Sequence, residues 1–141
     1  MLVKLAIISV LIVLLNSSFY KGGMFKTCET EVDSLTKRVV YKTVNVLPEN
    51  VGGQYALVKK LVRMPEDSIP DIYNLTYTVA FIVNTDSTIS GKRIINRVMD
   101  NTALHIFDIM SSLKWIPAKC GDKNVPMIYT QTINIEISDQ W

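Results

Sequence analysis

Apolar and polar positions along this chain fall into blocks whose period changes from segment to segment. From Arg38 to Leu47, β-branched and aromatic residues (Val39, Val40, Tyr41, Thr43, Val44, Val46) crowd together and stop at Pro48, which predicts a short edge strand ended by a turn. Val51, Tyr55, Val58 and Val62 then recur at helical spacing with Leu57 and Leu61 beside them, predicting an amphipathic helix. Met64-Pro65 ends that helix, because a residue before proline disfavours helical backbone. After a loop from Asp67 to Tyr73, the residues Leu75, Tyr77, Val79, Phe81 and Val83 alternate with Thr76, Thr78, Ala80 and Ile82, the period of a central strand. Turn formers Asn84-Thr85-Asp86-Ser87 lead into a second strand from Thr88 to Val98, so an antiparallel hairpin is predicted. A second helix, capped by Asp100, Asn101 or Thr102, carries the stripe Ala103, Leu104, Phe107, Met110 and Leu113. Lys114-Trp115-Ile116-Pro117 and a polar loop then lead to a last alternating strand between Val125 and Ile137.

The predicted order is therefore β-α-β-β-α-β, an α+β domain. Its economical packing is a small antiparallel sheet of three to four strands with two helices on one face. The boundaries predicted are a signal peptide or short N-terminal anchor over residues 1–18, a leader over 19–37, and the folded domain over 38–141. Leu5 to Leu15 is an apolar run broken only by Ser9 and preceded by Lys4, shorter than the ~20 residues a spanning helix needs, so export is expected. Inner-membrane association is the alternative if that segment is not cleaved.

Composition narrows the function classes. The 141 residues are 48% hydrophobic and 20% charged, enough for one core, and the formal charge of +2 forms no basic stripe that could track nucleic-acid phosphates. The only histidine, His105, lies within the second helix without a second histidine or a nearby cysteine at ligand spacing, so neither a metal nor a catalytic dyad is indicated. Glu29, Glu31 and Asp33 form an acidic group, but in the leader they read as solvated charge. Gly52-Gly53 lacks the further glycine and the lysine of a phosphate loop. Asn74-Leu75-Thr76 fits a glycosylation acceptor only formally. A non-enzymatic, cofactor-free protein is expected. Cys28 and Cys120 either pair in an oxidising compartment or stand as two separate thiols.

The joints between the elements are more specific than their order. Leu47-Pro48-Glu49-Asn50-Val51-Gly52-Gly53 followed by Ala56-Leu57 and Leu61, the hairpin from Tyr77 to Ile89, and above all Trp115-Ile116-Pro117-Ala118-Lys119, Gly121-Asp122-Lys123 and Val125 before the closing strand resemble the TonB C-terminal domain family over about a hundred residues. These stretches are similar to its Pro-x-Phe-Pro-Gly-Gly opening, its Asp-Gly hairpin, and its Trp-x-Pro-Ala and Gly-Lys-x-Val segments. Asn50-Val51 stands in place of Phe-Pro, and Ser87 in place of the turn glycine. Whatever the family, Gly52 and Gly53 suit a tight turn, Pro117 stops a helix, and Trp115 offers a ring to cover the core.

The resemblance implies a binding module of the periplasm or cell envelope. Its partner would be an outer-membrane receptor segment that adds itself as a strand to an exposed sheet edge, with backbone hydrogen bonds supplying affinity. It places the pairing edge on Ile128, Tyr129, Thr130, Gln131, Thr132, Ile133, Asn134 and Ile135, with Met64 and Pro65 nearby. No proline lies between Leu15 and Leu47, unlike the long proline-rich spacer of an energy transducer, and even fully extended this leader reaches roughly 110 Å. The rival expectation is a free periplasmic or secreted adaptor with no part in energised transport.

Overall fold

The computed structural model describes residues 27–65 and 74–136. The domain is α+β. Its main sheet has five strands in the order β1-β2-β9-β4-β5, with β1 at Glu29–Val32, β2 at Val39–Thr43, β4 at Asn74–Val83, β5 at Ile89–Ile94 and β9 at Met127–Glu136. Two small two-stranded sheets, β3 (Glu49–Asn50) with β6 (Trp115–Ile116) and β7 (Ala118–Cys120) with β8 (Lys123–Val125), trim the helix joints. The helices are α1 (Gly53–Leu61) and α2 (Asn101–Ser112). The expected signal peptide or anchor, the loop residues 66–73 and Ile137 lie outside the described residues.

The sheet centres on β4 and β9, which pair antiparallel without interruption from Asn74↔Glu136 to Val83↔Met127. Odd-numbered residues of both strands face the helices, where Tyr77, Val79, Phe81, Val83 and Ile133 are buried with Leu57 of α1 and Ala103, Ile106, Phe107 and Met110 of α2. Trp115 closes this core. Its indole N–H donates to the Met110 carbonyl at 2.9 Å, and its ring meets Phe81 at 5.1 Å and Tyr129 at 5.6 Å between centroids. Such aromatic pairs stabilise by ~1 kcal/mol each beyond the area they bury. Asp100 caps α2, its carboxylate accepting from the Ala103 N–H at 2.8 Å and from the Tyr77 hydroxyl at 2.8 Å, which fixes the helix to β4. Burial pushes the Tyr77 hydroxyl above the ordinary phenol range.

Five expectations need correction. The sheet has five strands, because the segment expected to be a leader contributes β1, which pairs antiparallel with β2, while β2 meets β9 in parallel. All four β1 residues are exposed, so no apolar alternation marks the strand. The acidic group in the same segment is also not uniformly solvated. Asp33 is 2% exposed, with its carboxylate 2.7 Å from the Arg93 guanidinium and accepting from the Thr36 N–H at 2.8 Å and its hydroxyl at 2.7 Å. The helical stripe Val51, Tyr55, Val58, Val62 points outward. Leu57 is the buried residue of α1, with Ala56 and Leu61 half-buried, since the sheet needs only a narrow face of so short a helix. In α2 the exposed Leu104 is replaced in the core by Ile106, and β5 ends at Ile94 with Ile95 and Val98 exposed.

Cys28 and Cys120 form a disulfide across 92 residues of sequence, joining the start of β1 to the β7–β8 hairpin. Beside it the Asn45 side-chain carbonyl accepts from the Gly121 N–H at 2.6 Å.

Candidate protein-docking site

The family resemblance puts the candidate site on one strand, and the fold decides whether its backbone is free. β9 is flanked along its whole length by β4. On its other side it meets β2 at a single register position, Tyr41↔Met127, where the Tyr41 N–H donates to the Pro126 carbonyl at 2.9 Å. After Thr43 the chain leaves the sheet, and Asn45 and Val46 bond to Lys119 instead. Among the described residues, nothing pairs with the outer edge of β9 beyond its first position.

Strand geometry then fixes which groups are presented. Successive residues direct their N–H and C=O to opposite sides within the sheet plane. Because Pro126 bonds toward β2, the even-numbered residues Thr130, Thr132 and Asn134 aim their backbone groups at the open side, while Tyr129, Gln131, Ile133 and Ile135 aim theirs at β4. The neighbouring strand agrees: Thr78 bonds toward the β5 side, accepting from the Ile95 N–H at 2.8 Å, so the odd residues of β4 face β9. Side chains alternate independently of this, above and below the sheet. Tyr129, Gln131, Ile133 and Ile135 project toward the helices, whereas Thr130, Thr132 and Asn134 are exposed on the far face. There the Thr76 hydroxyl donates to the Asn134 side-chain carbonyl at 2.9 Å.

The three edges of the main sheet that no described residue pairs with differ in kind. β1 has four residues, a bulge at Glu29/Thr30 and two glutamates. β5 carries Lys92 and Arg93, its register breaks between Ala80 and Ile82, and Gly91 has φ +60°. Short length, bulges and charges are the means by which proteins blunt an edge against pairing. From Ile128 to Ile135, β9 has no charge, no proline, no glycine and no break in register.

No family model, curated protein or solved structure matches the chain.

The other residues singled out in the sequence have structural places. Gly52 (φ +91°) and Gly53 (φ +59°) turn β3 into α1, and a Cβ on Gly52 would lie 2.9 Å from that of Ala56. Gly121 (φ +62°) makes the β7–β8 turn. Trp115 and Pro117 are buried where α2 ends. Met64 packs against the core below the end of α1 and is not on the β9 edge strand, and Pro65 next to it is exposed. His105 is half-buried on α2. Among the described residues no group of three His, Cys, Asp or Glu side chains is placed to hold a metal, and no helix is long and apolar enough to cross a membrane.

Proposed function

We propose that the protein is a TonB-like binding module of the cell envelope that docks an extended segment of an outer-membrane receptor as an added strand on β9. The observation that supports this reading is that, among the described residues, the edge of β9 is unpaired beyond its first position, with three successive outward pairs of N–H and C=O groups on Thr130, Thr132 and Asn134. An extended chain is the ligand that satisfies such a row, since its own backbone offers groups at the same spacing. The Cys28–Cys120 disulfide fits export to an oxidising compartment. The choice of an outer-membrane receptor as partner rests on the family resemblance of the joints around Gly52-Gly53 and Trp115 to Val125.

Titration of isotope-labelled protein with synthetic peptides covering the N-terminal segments of outer-membrane receptors tests the reading. The amides of Thr130, Thr132 and Asn134 are expected to shift first and furthest, and Thr132→Pro, which deletes the central outward N–H, is expected to weaken binding at least tenfold. Shifts confined to α1 and α2, with the β9 amides unmoved, would rule the site out.

A further inference from the structure

A strand able to cover the open margin of β9 already exists in the chain. The β-branched run that predicts a strand from Arg38 to Leu47 forms β2 only as far as Thr43. Even-numbered residues along this run bond toward β1, the Arg38 carbonyl accepting from the Asp33 N–H at 2.8 Å. Odd-numbered ones bond toward β9, where Tyr41 stands opposite Met127 in parallel. Continued at that register, Thr43 would stand opposite Tyr129, Asn45 opposite Gln131 and Leu47 opposite Ile133. Their N–H and C=O groups would then bracket Thr130, Thr132 and Asn134, the residues whose outward groups are open.

Two attachments hold the chain elsewhere. The Asn45 and Val46 N–H groups donate to the Lys119 carbonyl at 3.0 and 3.1 Å, and the Lys119 N–H donates to the Val46 carbonyl at 2.9 Å. The Asn45 side-chain carbonyl takes the Gly121 N–H as well. Cys120 lies between those two holders. Its disulfide partner Cys28 lies between Thr27, whose carbonyl accepts from the Thr43 hydroxyl at 3.1 Å, and Glu29, whose N–H donates to Thr43 Oγ1 at 2.9 Å. The disulfide therefore joins the end of β2 to the hairpin that draws the chain off β9. Both cysteines are half-buried, so the bond is not sealed from solvent.

We propose that the Cys28–Cys120 disulfide is a redox gate on the β9 edge. Oxidised, it keeps residues 43–47 on the β7–β8 hairpin and leaves the margin free; reduced, it lets that segment pair with β9 and exclude the partner. This rests on the strand-addition reading above and adds its regulation. The chemistry is exchange with a dithiol reductant: the S–S bond breaks, two electrons and two protons pass to Cys28 and Cys120, and the reductant leaves as a disulfide. Release exchanges the three backbone bonds at Lys119, and the Gly121 bond to Asn45, for bonds from Thr43, Asn45 and Leu47 to β9, so hydrogen bonding does not oppose the move. Val44 and Val46 favour extended backbone. A segment of the same chain also competes at high effective concentration with any separate molecule.

Amide exchange and peptide titration of the full chain, before and after treatment with a dithiol, test the gate. Reduction is expected to slow the amides of Thr130 and Thr132 at least tenfold and to bring Asn45 within nuclear Overhauser distance of Gln131. It is also expected to weaken binding of receptor N-terminal peptides at least tenfold, since only the open fraction binds. Lost stability alone speeds exchange, so slowing has the opposite sign. Cys28→Ser with Cys120→Ser is expected to reproduce it without reductant. Amides of Thr130 and Thr132 that stay as fast as in the oxidised protein, or loss of protection along the whole of β9, would overturn the gate. Slowing that grows with protein concentration would make a second copy the cover and overturn it too. Peptides that leave β9 unmoved in the oxidised protein would instead sink strand addition, whatever reduction does to the free protein.

Discussion

Asp33 shows how much one side chain does for the part of the fold least visible in sequence. Its carboxylate accepts from the Thr36 backbone N–H and hydroxyl and meets the Arg93 guanidinium, and these contacts hold its pKa down at about 2 against burial, which acts the other way. The sign follows from linkage. The folded state releases this proton more readily than the unfolded chain, so the stabilisation is full above pH ~4 and is lost as pH falls toward 2. Denaturant midpoints measured from pH 5 to pH 2 are expected to drop steeply for the native protein and more shallowly for Asp33→Asn, whose deficit at pH 5 shrinks on acidification. A deficit independent of pH would contradict the assignment. Gly52 is the second residue with a defined cost of change. At φ +91°, with Ala56 2.9 Å from any added Cβ, Gly52→Ala is expected to lose about 1–2 kcal/mol in equilibrium unfolding. Ser87, standing where the hairpin would favour glycine, adopts φ +70° itself, so the backbone keeps the turn that the residue type obscures.

At the scale of elements, the sequence was legible where one face is buried and the other is wet. β4 and β9 announce themselves through alternation, and α2 through its stripe, because each residue's environment follows the element's own period. β1 was invisible since all four of its residues are exposed and its one apolar residue, Val32, pairs with the equally exposed Val39. The inward face of α1 was misread because Val51, Tyr55, Val58 and Val62 look like a core stripe and outnumber Leu57 and Leu61, the residues that turn toward the sheet. The candidate strand was legible from its pattern, but its open margin was not, since that depends on where β2 leaves the sheet after Thr43. The disulfide ties this added edge to the β7–β8 hairpin. Closing a loop of this length contributes on the order of 4 kcal/mol by restricting the unfolded chain. Cys28→Ser with Cys120→Ser is therefore expected to lower the melting temperature by ~15 °C or more while leaving β4–β9 amide protection ordered as before. An unchanged melting temperature would show that the bond adds no stability.

Taken together, the described residues form a well-anchored sheet with one margin left unpaired among them. Among the described residues, β2 pairs only with the first position of β9, and the helices pack on one face of the sheet. A chain with an uncharged, regular strand margin risks pairing with copies of itself, so retaining one is consistent with a partner that takes the place. Amide hydrogen exchange in the free protein tests this most directly, since it needs no ligand. The amides of Tyr129, Gln131 and Ile133, bonded to β4, are expected to exchange slowly, and those of Thr130, Thr132 and Asn134 faster by orders of magnitude, giving a period of two along β9. Uniformly slow exchange from Tyr129 to Asn134 would mean that the margin is already paired, and the docking account would fail.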